Sequence, residues 1–175
     1  LVEHVFGNGL TLRNRTRFAD YDKFYQNIFP GAVNAQNQTV SISAYSNVTT
    51  RENLFNQTDL VFDVKTGAIE HTLLAGVELG RQETDNLRLT GYFDAGFTQE
   101  TQSVPLADPR TDVDLFWQAK SSDGDNRGKT TVAAIYVQDQ LKLNAQWQVV
   151  AGVRAEQFKV DFTDRRASVA PENRE

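Results

Sequence analysis

The sequence predicts an all-β fold made of antiparallel strands of the kind that build a transmembrane β-barrel. Apolar residues occupy alternate positions along Leu54–Leu79, on both sides of a short turn, and again along Trp147–Ala155. A period of two, with one apolar and one polar face, is typical of a strand that meets an apolar medium on one side. The similar tetrapeptides Leu-Ala-Gly-Val at 74–77 and Val-Ala-Gly-Val at 150–153 both show this pattern. Glycine and charged residues alternating with aliphatic ones are expected of a barrel strand.

The first hairpin is predicted at the start of the sequence. Leu1–Phe6 and Leu10–Tyr21 flank the tripeptide Gly7-Asn8-Gly9, and Asn-Gly between two apolar stretches is a strong hairpin signal. A longer connection is predicted over Asp22–Thr39, because Pro30-Gly31 and several Asn and Gln residues break the alternation there.

Two more hairpins complete a prediction of about six strands. The second spans Val40–Arg81 around the turn Lys65–Ala68, and the third spans Thr130–Phe162 around Asn144–Gln146. We expect one face of these strands to contact lipid, with the residues Leu73, Ala75, Val77, Val149, Ala151 and Val153. We expect the other face to line a lumen, with the residues Gly76, Glu78, Gly152 and Arg154.

The region Gln82–Lys129 is predicted to be a long irregular loop. It mixes aromatic residues with Pro105, Pro109 and the polar run Ser121–Gly128, and loops of this length are usually functional or disordered. Short turns would then lie at one end of the strands and long loops at the other. This asymmetry is typical of membrane barrels, whose short turns lie on the periplasmic side.

Composition and motifs exclude several classes of function. The net charge of -5 argues against a nucleic-acid partner, because phosphate binding requires a basic face. Cysteine is absent and the two histidines, His4 and His71, have no partner at ligand spacing, so no metal site is predicted. The sequence holds no Gly-x-Ser-x-Gly, Walker-type or zinc-protease motif, and we expect neither an enzyme nor any catalytic residue.

Several segments resemble a known family. Four of them are similar to barrel strands of TonB-dependent siderophore receptors: Leu10–Arg17, Asn53–Asp59, His71–Val77 and Ala134–Asp139. The stretch Ala19–Gln26 with Phe29-Pro30-Gly31 most resembles the receptors for catecholate siderophores. The resemblance covers nearly all of the 175 residues.

The resemblance implies a barrel of about 22 strands in the outer membrane of a Gram-negative bacterium, with a plug domain inside it. We therefore expect residues 1–175 to be a partial receptor barrel domain, without the plug domain and the remaining strands. The implied function is binding of a ferric siderophore, of the catecholate class, and its import by TonB-coupled transport. The implied partners are the ferric siderophore, membrane lipid and the TonB complex acting through the plug. No cofactor is expected, because the iron enters already held by its chelator.

Aromatic and basic residues of the long loop are the predicted ligand-binding groups. Aromatic side chains can stack on catechol rings and guanidinium groups can match the negative charge of the chelate. The alternative is that these aromatic residues only pack the loop against its neighbours. The candidates are Tyr92, Phe93, Phe97, Arg110, Phe116, Trp117 and Arg127.

Two other functions remain open from the sequence alone. One is a soluble all-β module that binds a ligand or a carbohydrate, and the other is a general diffusion porin. The soluble module and the receptor barrel differ in the surroundings of the apolar faces. A soluble sandwich would cover these faces with a second sheet, whereas a barrel would expose them to lipid. The long aromatic loop and the receptor-like strands argue against the porin.

Overall fold

A computed structural model describes residues 1–166 of the chain. Within this range the secondary structure consists of eight β-strands, and no helix is long and apolar enough to cross a membrane. The strands are β1 (Val2–Val5), β2 (Leu10–Asn34), β3 (Thr39–Thr66), β4 (Ile69–Tyr92), β5 (Thr101–Pro105), β6 (Phe116–Gln118), β7 (Asp125–Lys142) and β8 (Gln148–Asp164).

The strands form one sheet in the order β1-β2-β3-β4-β7-β8. The short strand β5 pairs antiparallel with β3, and β6 pairs antiparallel with β4. The three predicted hairpins are confirmed, because β1 and β2, β3 and β4, and β7 and β8 are neighbours joined by short turns. In the first turn Phe6 donates its backbone N–H to Leu10 at 2.7 Å, and Gly9 has the positive φ of 83° that glycine adopts readily.

The predicted connection over Asp22–Thr39 is wrong, because β2 continues to Asn34 and leaves a turn of four residues. The side chain of Asn34 closes this turn by accepting the backbone N–H groups of Gln36 and Asn37, both at 3.1 Å. Pro30 lies within the strand, although proline donates no hydrogen bond. In this part of β2 both faces carry polar residues, so the sequence shows no alternation there. The strand pairs nevertheless, because pairing uses backbone groups.

The predicted loop Gln82–Lys129 is also too long. Strand β4 continues to Tyr92 and β7 begins at Asp125, so that residues 93–124 connect them and themselves contain β5 and β6. About 9–11 residues are enough for a tilted strand to cross a bilayer, whereas β3 has 28 residues and β4 has 24. A crossing of that length would need one apolar face along only part of β3 or β4, and the predicted alternation likewise stops before each strand does.

The contacts within the chain define two compact units. The first, which we call the turn unit, comprises Leu1–Asp20, Glu52–Glu83 and Lys129–Asp161 and contains the three short turns. The second, which we call the loop unit, comprises Tyr21–Arg51, Thr84–Gly128 and the described residues from Phe162 onward. It contains the turn at 35–38 and the long connection 93–124.

One face of the turn unit is polar and is held together around Tyr136. The ring of Tyr136 on β7 covers Gly76 on β4, where a Cβ atom would come within 2.4 Å of the ring. Its hydroxyl donates to the buried carboxylate of Asp59 and accepts from Gln57 Nε2 at 2.9 Å. Arg154 of β8 lies 5.6 Å from the same ring. Residues predicted to share one face therefore do share it.

The opposite face of the turn unit is apolar. Ala75, Val77, Val137 and Val153 line one surface cavity together with Leu60, as the predicted alternation requires. Asp139 also belongs to this face by its position in β7 and lines the neighbouring cavity. His71 gives this carboxylate a polar partner on the apolar face, because its Nδ1 lies 2.8 Å from Asp139 Oδ2.

Asn14, Thr16, Asn56 and Thr58 form a polar network within the turn unit. The side-chain amide of Asn14 donates to Asn56 Oδ1 at 3.3 Å and to Thr58 Oγ1 at 2.7 Å. The amide of Asn56 donates in return to Asn14 Oδ1 at 3.3 Å and to Thr16 Oγ1 at 2.8 Å. The two residues that interrupt the apolar parity of β3, Asn56 and Thr58, thus find their partners on β2.

The faces of β8 give a direct test of sidedness. Val153 and Val150 are the same residue type, are 72% and 58% exposed, and occupy opposite parities. In the complete barrel, Val153→Arg should destabilise the fold by about 2–4 kcal/mol, because a charge near the bilayer midplane loses its hydration. Val150→Arg should be tolerated, because it would face water. Urea unfolding of the reconstituted barrel measures both, and equal losses would show that the faces are assigned wrongly.

Candidate ligand-facing surface

Two of the predicted ligand-binding residues are buried in the loop unit. Phe93 is 5% exposed and belongs to a hydrophobic core with Val40, Ile42 and Val104. This core forms because β5 pairs with the beginning of β3, with Val40 opposite Val104. Tyr92 is 6% exposed. In this structure both side chains pack the long connection against β3 and β4.

Phe97 stands at the tip of a tight turn that follows β4. Its backbone has a positive φ of 54°, which is strained for a bulky residue and costs on the order of 1–3 kcal/mol. The carboxylate of Asp94 holds the turn by accepting the backbone N–H groups of Thr98 at 2.9 Å and Gln99 at 2.6 Å. The ring of Phe97 packs edge-on against Tyr92, with centroids 5.6 Å apart, and remains 38% exposed.

Phe116 and Trp117 lie on β6, opposite the end of β4. Phe116 pairs with Tyr92 and Trp117 pairs with Gly91, so that the side chains of each pair share a face. Trp117 covers Gly91, where a Cβ atom would meet the indole ring at 2.9 Å. The structure thus brings Tyr92, Phe97 and Phe116 to one place and gives Trp117 a packing role on the other face.

The two predicted arginines each have an acidic partner. Arg110 makes a two-pronged contact with Asp108, at 2.6 and 2.9 Å, in an exposed part of the loop. This hydrogen bonding raises the pKa of the Arg110 guanidinium above its ordinary value. Arg127 approaches Asp85 at 3.8 Å, and Asp85 is shared with Arg165 at 2.7 Å.

The sequence analysis missed an aromatic and cationic cluster in the loop unit. The rings of Tyr25 and Phe29 on β2 each contact the ring of Tyr45 on β3, with centroids 5.7 Å apart. The guanidinium of Arg88 on β4 lies 4.0 Å from the centroid of Tyr45, within the range of a cation–π interaction. Lys23 lies 5.0 Å from the ring of Tyr25.

Asp123 positions Arg88 over the ring. Its carboxylate is 7% exposed and lies 3.4 Å from the Arg88 Nε atom. Thr90 Oγ1 donates to it at 2.8 Å and the backbone N–H of Lys120 donates at 3.0 Å. These two hydrogen bonds hold a buried carboxylate in place, and the carboxylate in turn orients the guanidinium.

A signal for this cluster was present in the sequence. Tyr21, Lys23, Tyr25 and Phe29 share one parity of β2, and in a strand such residues project from one face. The prediction of an irregular connection over Asp22–Thr39 concealed that parity. The partners Tyr45 and Arg88 come from other strands, and their approach depends on strand pairing.

Residues 1–166 hold no group of three or more His, Cys, Asp or Glu side chains arranged to bind a metal ion. The chemistry available on this surface is therefore that of aromatic faces, guanidinium and ammonium groups, and carboxylates. Such a surface can bind a planar, negatively charged ligand by stacking and by charge.

Comparison with known proteins identifies the class to which this fold and surface belong. The family model for the TonB dependent receptor-like β-barrel matches residues 2–174. The chain therefore belongs to the β-barrel family of TonB-dependent receptors, whose members are outer-membrane proteins of Gram-negative bacteria.

Individual relatives lie within the same family. The metal-pseudopaline receptor CntO of Pseudomonas aeruginosa strain UCBPP-PA14 is 30% identical over 117 residues, covering 63% of this chain and 15% of that protein. The catecholate siderophore receptor Fiu of Escherichia coli O6:H1 strain CFT073 is 26% identical over 174 residues, covering 94% of this chain and 22% of that protein. The chain thus spans less than a quarter of the length of these relatives.

A solved structure confirms the fold. The siderophore receptor PiuA from Acinetobacter baumannii superposes with a TM-score of 0.81 at 20% identity. The superposition covers 96% of this chain and 26% of that one. The strand arrangement found here is therefore that of a receptor barrel, as the sequence predicted.

The turn that presents Phe97 should depend on pH. Hydrogen bonds from the backbone of Gln99, and further ones from Thr98, lower the pKa of Asp94. Stabilisation of the turn by the carboxylate is therefore present above about pH 4, the ordinary aspartate pKa, and is lost as the pH falls through the lowered value. Hydrogen exchange at the Gln99 amide should report this loss, beyond the intrinsic pH dependence of exchange.

Asp94→Asn is the matched control for this turn. An Asn carbonyl can still accept an N–H bond but does not titrate in this range, so the protection of Gln99 should no longer vary with pH. If the same pH dependence persisted in Asp94→Asn, another group would be responsible.

Proposed function

We propose that the chain forms part of the barrel of an outer-membrane receptor that binds a ferric siderophore of the catecholate class and imports it by TonB-coupled transport. Membership of the family and the similarity to a catecholate siderophore receptor over 94% of the chain support this proposal. The iron would enter as its chelate, without a resident cofactor. Energy would reach the barrel from the TonB complex through a plug domain.

The observation that carries the ligand class is the stack of Arg88 on Tyr45. A ferric catecholate complex presents aromatic rings on its outside and a net negative charge. Arg88, held at 4.0 Å from the Tyr45 centroid by the buried Asp123, offers both a cation and an adjoining aromatic surface. Tyr25 and Phe29 extend that surface with rings that are each 37% exposed.

The residues predicted from sequence divide into two groups within this proposal. Phe97 and Phe116 remain candidates for ring contact because they are 38% and 37% exposed, and Arg110 and Arg127 remain candidates for charge contact. Tyr92, Phe93 and Trp117 would support the loop that carries them. No covalent step is required, because binding and gated passage complete the function.

Membership of a receptor-barrel family favours this proposal over a soluble carbohydrate-binding module. The porin alternative has no specific observation in its favour. Because the chain is also similar to a metal-pseudopaline receptor, a binding experiment should compare a metal-pseudopaline complex with the ferric catecholate.

Arg88 gives the first test in the complete receptor. Arg88→Gln should weaken binding of a ferric 2,3-dihydroxybenzoate complex about 10-fold, equivalent to about 1.4 kcal/mol, because the charge over the ring is lost. Arg88→Lys should have an intermediate affinity, since it keeps the charge but not the planar stacking group. Titration calorimetry measures the three affinities.

Heat-modifiable electrophoretic mobility should confirm that each Arg88 variant is folded. Wild-type affinity in a folded Arg88→Gln receptor would contradict the proposed role of Arg88. Preference of the wild-type receptor for a metal-pseudopaline complex over the catecholate would contradict the proposed ligand class.

Phe97 gives a second test that separates binding from stability. Phe97→Ala and Phe97→Gly both remove the ring, so the two should lose catecholate affinity equally. Phe97→Gly should be the more stable of the two by about 1 kcal/mol, because glycine adopts a positive φ without strain. Unchanged affinity in both variants would assign Phe97 to loop packing only.

A further inference from the structure

The apolar face of the turn unit carries a continuous groove. Three neighbouring cavities of about 590, 410 and 480 Å³ follow one another along β4, and each shares lining residues with the next. The first two share Leu60, Ala75, Val137 and Val153, and the second and third share Val77, Ile135 and Ala155. The groove therefore runs from the level of Leu73 to the level of Leu79.

Differences in side-chain size create this groove. Ala75, Ala151 and Ala155 line it between longer branched side chains. Those longer side chains are themselves strongly exposed, with Ile135 63%, Val137 58% and Val153 72% exposed. An exposed apolar patch of this kind marks a site that something apolar covers.

We propose that this groove holds one acyl chain of a membrane phospholipid as a resident ligand of the barrel. Its length supports this occupant, because the six residue steps from Leu73 to Leu79 span about 20 Å at 3.3 Å per residue. One leaflet of the hydrocarbon core is about 15 Å thick. Because barrel strands tilt by about 45°, the groove extends only about 14 Å along the bilayer normal, so that a single extended chain can lie along it within one leaflet.

The polar end of the groove indicates which lipid it takes. Asp139 lines the cavity at the level of Leu73, and His71 pairs with it at 2.8 Å. This end lies nearest to the short turns, which face the periplasm in such barrels. The headgroup would lie at that level, where the adjoining leaflet supplies phospholipid. The proposal rests on the outer-membrane location proposed above.

Filling the groove tests the proposal in the complete receptor. Ala75→Phe and Ala151→Phe place a large apolar group in the groove and keep the face compatible with lipid. Val149→Phe is the matched control, because Val149 has the same parity on β8 but does not line the groove. Each receptor would be purified in mild detergent and delipidated, and phospholipid would be counted by native mass spectrometry.

Wild type and Val149→Phe should each retain a single phospholipid, because affinity follows the apolar area buried, and the two filled variants should retain none. Added dipalmitoyl phosphatidylethanolamine should restore the lipid to delipidated wild type only. Equal retention in all four receptors would overturn the proposal, as would a dimer that both filled variants abolish without any change in lipid. Failure of the wild type to insert into phospholipid vesicles would instead overturn the proposed membrane location.

Discussion

The geometry of the turn unit depends on the contact between Tyr136 and Gly76. The ring lies where any side chain at position 76 would have to be, so this packing requires glycine at position 76 and favours the register that places it beneath Tyr136. Its hydroxyl reaches Asp59 on β3, and Arg154 of β8 lies against the ring. The side chain of Tyr136 on β7 therefore contacts residues of β3, β4 and β8, which together with β7 are four neighbouring strands of the sheet. A slip of one residue would turn every apolar side chain to the wrong face.

The same arrangement recurs at two other glycines. Phe55 on β3 covers Gly80 on β4, and Trp117 covers Gly91 in the loop unit. Glycine in a strand interior weakens the strand because it adds entropy to the unfolded chain and leaves nothing to pack. An aromatic ring from the neighbouring strand supplies the missing packing. The three pairs explain why glycines occur inside β4, which is long and otherwise regular.

The sequence predicted those parts of the fold in which apolar and polar residues alternate, because there the alternation follows the two faces of the strand. Leu73, Ala75 and Val77 alternate because one face of β4 is apolar, and the hairpin turns contain residues that favour turns. Beyond that region both faces of β2 and β4 carry polar residues, and the strand ends at Asn34 and Tyr92 leave no periodic signal.

The candidate surface was predicted only in part for a related reason. The composition of the long loop indicated its aromatic residues, but composition does not distinguish a core residue such as Phe93 from a presented one such as Phe97. That distinction depends on the pairing of β5 with β3 and on the turn that Asp94 holds. The cluster around Tyr45 draws on three strands. The parity of β2 marks Tyr25 and Phe29 in the sequence, but the approach of Tyr45 and Arg88 depends on strand pairing.

The amide and hydroxyl network of Asn14, Thr16, Asn56 and Thr58 has a consequence for how this barrel can evolve. Each polar group in it has a partner inside the network. Replacing Asn56 alone by leucine would remove one of the two acceptors of the Asn14 amide nitrogen and one of the two donors to its oxygen, whereas replacing the residues on both strands would leave a continuous apolar wall. Positions 14 and 56 should therefore change together among descendants of this sequence, with the intermediate of one substitution being the least fit.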